Sequence, residues 1–154
     1  MNNVKKTSNY LIFTLIISGV FAQGSRDLTG TSVSAYAYRA EGDNHTTVQL
    51  AVNIVSPDLN YADGVRFDFG ESNVVLDAYL ESDMGIDPAV LIQGGEVVFG
   101  DSSDGIFNGD GIFIYGETYD FVVHLEGQVD APLNIDFIVY DDGWAQDYCV
   151  NDYN

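Results

Sequence analysis

Apolar and polar residues alternate along this chain in short runs, and this period of two most constrains its fold. In residues 46–55, TTVQLAVNIV, the apolar side chains of Val48, Leu50, Val52 and Ile54 occupy every second position. Successive residues of a strand point to opposite faces, so such a run predicts a strand with one buried face. Apolar spacing typical of helices is nearly absent elsewhere. The pattern therefore predicts an all-β fold.

Turn residues separate about seven or eight of these runs. The predicted strands cover residues 31–39, 46–55, 64–69, 73–80, 89–93, 96–99, 119–126 and 133–140. In the fourth strand, alternation groups Val75 with Asp77 and Tyr79. Strands of this number and spacing favour an Ig-like antiparallel β-sandwich, with a jelly roll as the alternative. The expected core residues are Val48, Leu50, Val52, Ile54, Val65, Phe67, Phe69, Phe121, Val123, Ile135, Phe137 and Val139.

Residues 1–22 have the features of a secretory leader. Lys5 and Lys6 form a basic region, and an apolar stretch follows at residues 10–21. That stretch is shorter than the roughly 20 residues that span a membrane, so a cleaved leader is favoured over an uncleaved anchor. We expect the mature chain to begin at Gln23 and residues 23–154 to form one extracellular or cell-surface domain, with no membrane insertion after cleavage.

The charge balance excludes some classes of partner. Acidic residues number 24 against five Lys and Arg, and the net charge is −19. Lys5 and Lys6 lie in the leader, which leaves Arg26, Arg39 and Arg66 in the mature chain. Binding to nucleic acid or to anionic membranes depends on Lys and Arg contacts, so neither partner is expected.

Three stretches together resemble Ig-like β-sandwich modules of secreted and surface proteins of Bacteroidota-type bacteria. They are residues 46–69, with an acidic DGV that opens a strand, residues 94–126, with a Gly-rich loop between strands, and residues 131–145, ending near DDGW. The resemblance implies a β-sandwich in an adhesive or structural setting, without enzymatic activity.

The chain offers no evident catalytic arrangement. The G-x-S-x-G pattern of a nucleophile elbow does not occur in the sequence. His124 alternates within a predicted strand and is interpreted as structural, while His45 falls in a predicted turn. Asp141 and Asp142 are adjacent, which would point them to opposite faces of a strand and suits an acid–base pair poorly. We therefore expect no catalytic residues, no enzymatic activity and no catalytic cofactor.

A Gly-rich acidic loop is the best candidate for a bound metal ion. Its oxygen-bearing side chains are those of Asp101, Ser103, Asp104, Asn108 and Asp110. Calcium prefers oxygen ligands on loops of this kind, although the EF-hand spacing is absent. The loop is interpreted either as a calcium site or as an acidic surface loop.

The triplet Asn44-His45-Thr46 matches an N-glycosylation sequon. It lies in a predicted surface turn between two strands. Asn44 is therefore a candidate for glycan attachment.

The last clear strand, residues 133–140, raises the question of what pairs with its outer edge. Residues 145–154, AQDYCVNDYN, carry no convincing strand. Exposed strand edges are normally covered, so we expect a strand of a neighbouring subunit to close this one. The single cysteine, Cys149, could then link neighbours covalently.

The expected donor is the N-terminal segment of the mature chain, residues 23–39. Val33, Ala35 and Ala37 form a small apolar face suited to a groove. Strand donation repeated head to tail would build a homopolymer, so the favoured function is a secreted structural subunit of an extracellular filament. In the alternative, this segment folds back on its own domain, and the chain is a monomeric binding or adhesion module for carbohydrate or a surface partner.

Overall fold

The computed structural model describes residues 16–19, 28, 30–57, 59, 61–82, 85–100, 111–129 and 132–141. These residues form nine strands and no helix. The strands are β1 (Ile16–Gly19), β2 (Ser32–Tyr38), β3 (His45–Asn53), β4 (Ala62–Asp68), β5 (Val75–Leu80), β6 (Ala89–Gln93), β7 (Glu96–Gly100), β8 (Thr118–Glu126) and β9 (Asn134–Asp141). A strand lies at each of the eight predicted positions, with ends within two residues of those expected, and β1 is additional. Within the described ranges, no helix could cross a membrane.

The strands form two sheets that share one core. One sheet has the order β1-β9-β4-β7-β6, and the other has the order β2-β3-β8-β5. Every pairing is antiparallel except that of β1, which lies parallel to β9 along Asn134–Phe137. The predicted all-β, sandwich-like architecture is confirmed.

Inward-facing side chains of both sheets form the core. All twelve predicted core residues are buried. Phe67 of β4 and Phe99 of β7 meet Phe121 of the other sheet at ring-centroid distances of 5.5 and 4.6 Å. Aromatic pairs prefer such tilted contacts, so these rings join the two sheets at their centre.

Residues 111–117 cover one end of this core. Phe113 bridges to Ala62, and its ring lies 5.0 Å from that of Tyr119. The Ile114 N–H donates a 2.7 Å hydrogen bond to the Tyr119 hydroxyl oxygen. Burial raises the pKa of Tyr119 above its ordinary value, against the opposing effect of that hydrogen bond.

A β-bulge in β5 overturns the facing predicted for that strand. Val75 pairs with Leu125, but Asp77 pairs with the preceding residue of β8, His124, so Leu76 is an extra residue. Val75 is 5% exposed and Leu76 is 51% exposed. The predicted grouping of Val75 with Asp77 and Tyr79 is therefore wrong, because the extra residue turns the latter two outward.

Candidate functional site

The outer face of the four-stranded sheet carries three tyrosines, which we call the tyrosine face: Tyr36 and Tyr38 of β2, and Tyr79 of β5. Tyr36 and Tyr79 are 53% and 42% exposed. They stand at opposite margins of the sheet in one cross-strand row, which runs Tyr36–Gln49–Val122–Tyr79. A parallel row runs Tyr38–Thr47–His124–Asp77.

The outer face between Tyr36 and Tyr79 is covered by side chains. Three strand spacings of about 4.8 Å separate the Tyr36 and Tyr79 backbones by about 14 Å. Nevertheless Val122, between them on the outer face, is only 2% exposed. Partial burial, followed by the nearby charges of Glu81 and Tyr38, raises the pKa of Tyr79 above its ordinary value. Neighbouring side chains therefore cover Val122, and Tyr38 lies close enough to Tyr79 to contribute to its raised pKa.

The two tyrosines of β2 form a continuous aromatic surface. Their ring centroids are 5.9 Å apart, and the ring planes differ by 20°. Alternate residues of a strand share a face, which explains why Tyr36 and Tyr38 stand side by side. Partial burial, then the charges of Tyr38, Glu81 and Asp120, raises the pKa of Tyr36. Both exposed tyrosines therefore stay neutral hydrogen-bonding groups at physiological pH.

Acidic side chains border the tyrosine face. Asp77 and Glu81 lie in and directly after β5, and Asp120 and Glu126 lie on β8. All four residues are exposed. The Ser82 hydroxyl and Asp120 carboxylate are 3.4 Å apart, and the Asp120 N–H donates to the Ser82 hydroxyl at 2.7 Å. The face thus combines uncharged aromatic surface with a negative border.

Both histidines of the chain lie beside the tyrosine face. The His45 and His124 ring centroids are 4.4 Å apart. His124 also lies 6.1 Å from the Tyr79 ring, and its Nδ1 is 3.7 Å from the Asp77 carboxylate. From the sequence, His124 was expected to be a structural residue, and its contact with His45 was not predicted.

The face predicted to donate a strand lies within the chain's own domain. Ala37 is buried, and Val33 and Ala35 are partly buried against the core. Their strand pairs with β3 over its whole length, from Ser32 opposite Asn53 to Tyr38 opposite Thr47. Donation of this segment to a neighbour stays a prediction.

Other predicted site residues are placed only in part. Asn44 is exposed in the connection between β2 and β3, and its carbonyl accepts a 2.9 Å hydrogen bond from the Gly127 N–H. Residues outside the described part of the chain include Asp101, Asp104, Asn108 and Asp110 of the predicted calcium loop, and Cys149. In the parts described, no cluster of three or more His, Cys, Asp and Glu side chains is placed to hold a metal ion.

A concavity with a volume of about 430 Å³ lies between the β4–β5 connection and the start of β9. Asp68 and Asp136 line it and pair directly across β4 and β9. Asp68 accepts a hydrogen bond from the Gly70 N–H and lies 3.7 Å from Arg66, so local contacts account for its position.

The tyrosine face was visible in the sequence only in part. Tyr36 and Tyr38 alternate in residues 34–39, SAYAYR, but alternating Tyr more often packs in a core. Tyr79 was missed, because alternation counted from Val75 assigned it to the face that holds Val75.

Comparison with known proteins adds no family assignment. The chain matches no protein-family model, and no characterised protein shows significant sequence similarity to it.

Proposed function

We propose that this protein is an extracellular binding module whose tyrosine face holds a neutral polysaccharide. The observation that carries the proposal is that the exposed Tyr36 and Tyr79 and the half-buried Tyr38 share one outer sheet face. The extracellular setting rests on the secretory leader predicted for residues 1–22.

The chemistry of a pyranose ring suits such a surface. One side of the sugar presents C–H groups, whose partial positive charge is attracted to the negative face of an aromatic ring. Sugar hydroxyls can exchange hydrogen bonds with the phenol groups and with Gln49, which lies between Tyr36 and Val122 in the same row. An exposed sheet face can follow an extended chain over several sugar units.

The acidic border favours uncharged glycans over anionic ones. Asp77, Glu81 and Asp120 lie close to the tyrosines, and the whole chain carries a net charge of −19. Uronic acids and sulfated sugars would meet like charge at this surface, which disfavours their binding.

Binding to defined polysaccharides tests the proposal. The secreted protein would be measured by affinity electrophoresis and pull-down against neutral polymers such as cellulose, xylan and chitin, with alginate as the anionic comparison. Tyr36→Ala and Tyr79→Ala should each weaken retention by the best neutral polymer at least tenfold. Tyr61→Ala is the matched control, since Tyr61 is an exposed tyrosine outside this face. Lack of retention by any neutral polymer, or equal loss in the control, would contradict the proposal.

A second candidate function, self-assembly by strand exchange, draws support from the edge of β9. In Ig-type sandwiches, strands A, B, E and D form one sheet, and C, F and G form the other. Assigning A, B, E and D to β2, β3, β8 and β5 reproduces the first sheet. Strands C and F then correspond to β4 and β9. β1 lies beside β9 where G would lie, but parallel to it, and β7 and β6 extend the sheet beyond β4.

The strand in that position belongs to the predicted leader. Ile16–Gly19 lies within residues 1–22, so cleavage at Gln23 would vacate the edge of β9. Ile135 and Phe137 of β9 point into the core, and an open edge beside them would favour an added strand. We propose that a strand of another subunit takes this place and that repetition builds a filament.

Size-exclusion chromatography and electron microscopy distinguish self-assembly from a monomeric binding module. The precursor should remain monomeric, while the form that begins at Gln23 should assemble into filaments. The proposed donor is residues 23–39, which would have to separate from β3 before joining a neighbour. Because deletion of this segment removes the donor, it should abolish assembly. A strictly monomeric mature form at high concentration, or continued assembly after the deletion, would contradict strand donation by this segment.

A further inference from the structure

His45 and His124 come from β3 and β8, the two central strands of the four-stranded sheet, and meet near one end of these strands. In the register of these strands, His124 pairs with Thr47, and His45 lies two residues before Thr47 on the same face. Their ring centroids are 4.4 Å apart, with the ring planes inclined by 55°. Neither the polysaccharide face nor strand exchange requires this contact.

The spacing of the rings matches chelation of one metal ion by two imidazoles. A metal–nitrogen distance of about 2.0 Å places the ion about 3.2 Å from each ring centroid. Two imidazoles about 90° apart then have centroids about 4.5 Å apart, whereas a tetrahedral angle requires about 5.2 Å. The observed 4.4 Å is compatible with the right-angle arrangement of tetragonal metal ions.

Two carboxylates lie next to the histidine pair and add negative charge that favours a bound cation. The Asp77 carboxylate lies 3.7 Å from Nδ1 of His124, beyond hydrogen-bond distance, and places a negative charge on that side of the ring. Glu126 pairs with His45 across the strands and adds a second negative charge. Both histidines are partly exposed, so an ion and its remaining water ligands can enter from solvent.

We propose that His45 and His124 form a binding site for one divalent transition-metal ion, with Cu²⁺ preferred over Ni²⁺ and Zn²⁺. Imidazole suits these ions, and tetragonal nitrogen and oxygen coordination is typical of Cu²⁺ and Ni²⁺. Asp77 contributes a nearby negative charge, and solvent fills the remaining coordination positions. The site is distinct from the oxygen ligands predicted in the loop of residues 101–110.

Metal titration of the mature protein tests this site directly. Isothermal titration calorimetry with CuCl₂ in a non-chelating buffer should give a stoichiometry of one ion per chain. The electron paramagnetic resonance spectrum of the copper complex should show coupling to two nitrogens. His45→Ala and His124→Ala should each weaken binding at least tenfold. Asp77→Asn should weaken it severalfold and should retain the two-nitrogen spectrum.

Gln49→Ala is the control, because Gln49 shares the strand and outer face of His45 but has no place in the site. Thermal melts would verify that each variant folds. Unchanged copper affinity in the double variant His45→Ala/His124→Ala would overturn the proposal and assign the ion to surface acids. No uptake of Cu²⁺ by the unaltered protein would overturn it as well.

Discussion

Asp77 lies opposite His124 on the outer face of the four-stranded sheet, with its Oδ2 3.7 Å from the histidine Nδ1. Strict alternation from Val75 would have turned Asp77 toward the core, where an unpaired carboxylate is costly. The extra residue Leu76 prevents this and also turns Tyr79 outward. One bulge therefore positions a side chain of the tyrosine face and a neighbour of the histidine pair.

Deletion of Leu76 should be tolerated. Without it, Val75, Asp77, Ala78 and Tyr79 would alternate between core and solvent as they do now, so the free energy of unfolding should fall by only about 1 kcal/mol or less. Deletion of Ala78 should lower the free energy of unfolding far more. It would shift the register of β5 and move the side chains on one side of the deletion to the opposite face of the sheet. Thermal melts of the two deletions compare them, and equal loss would contradict the bulge assignment.

Phe67→Ala should remove one of the central rings of the core. Phe67 is fully buried and contacts Phe99 and Phe121. Loss of such a ring typically costs about 3–5 kcal/mol in the free energy of unfolding. Leu91→Ala, at an exposed position of β6, is the control and should cost about 0.5 kcal/mol or less. Denaturant unfolding measures both, and similar midpoints would show that Phe67 is misplaced.

Stability should fall at alkaline pH through Tyr119. Its raised pKa means that the folded state keeps the phenol proton to higher pH than the unfolded chain does. This contribution to stability is complete below the unfolded pKa of about 10 and is lost as pH rises through the folded value.

Tyr119→Phe tests that contribution. At pH 8 the variant should be about 1 kcal/mol less stable, because the partly buried hydrogen bond from the Ile114 N–H loses its acceptor. At pH 11 the difference in the free energy of unfolding between the two proteins should shrink. Only the unaltered protein has the Tyr119 phenol, whose ionisation at high pH favours its unfolded state. Chemical denaturation at both pH values measures the change, and a pH-independent difference would contradict the assigned role.

Calcium removal tests the predicted loop site. If Asp101, Asp104, Asn108 and Asp110 bind Ca²⁺, added calcium should raise the melting temperature and a chelator should lower it, because a ligand stabilises the state that binds it. Magnesium at equal concentration controls for ionic screening of the acidic surface. An unchanged midpoint in calcium and chelator would remove the calcium prediction.

The N-terminus of the secreted protein tests the leader prediction. Intact-mass and N-terminal analysis should find a chain that starts at Gln23, with or without cyclisation to pyroglutamate. Retention of Met1 in the secreted form would contradict cleavage and would leave β1 beside β9.

The sequence by itself determined the all-β class, eight strand positions and the twelve expected core residues. These features depend on local sterics and on alternation within single strands, and both can be identified from the sequence alone. The parallel contact of β1 with β9, the facing of β5 after its bulge, and the meeting of His45 with His124 depended on tertiary structure. Each requires the register between strands distant in sequence, which only packing of the whole domain decides. Tyr36 and Tyr79 share one face for the same reason, since three strand spacings separate them and only the register of the assembled sheet places them in one cross-strand row.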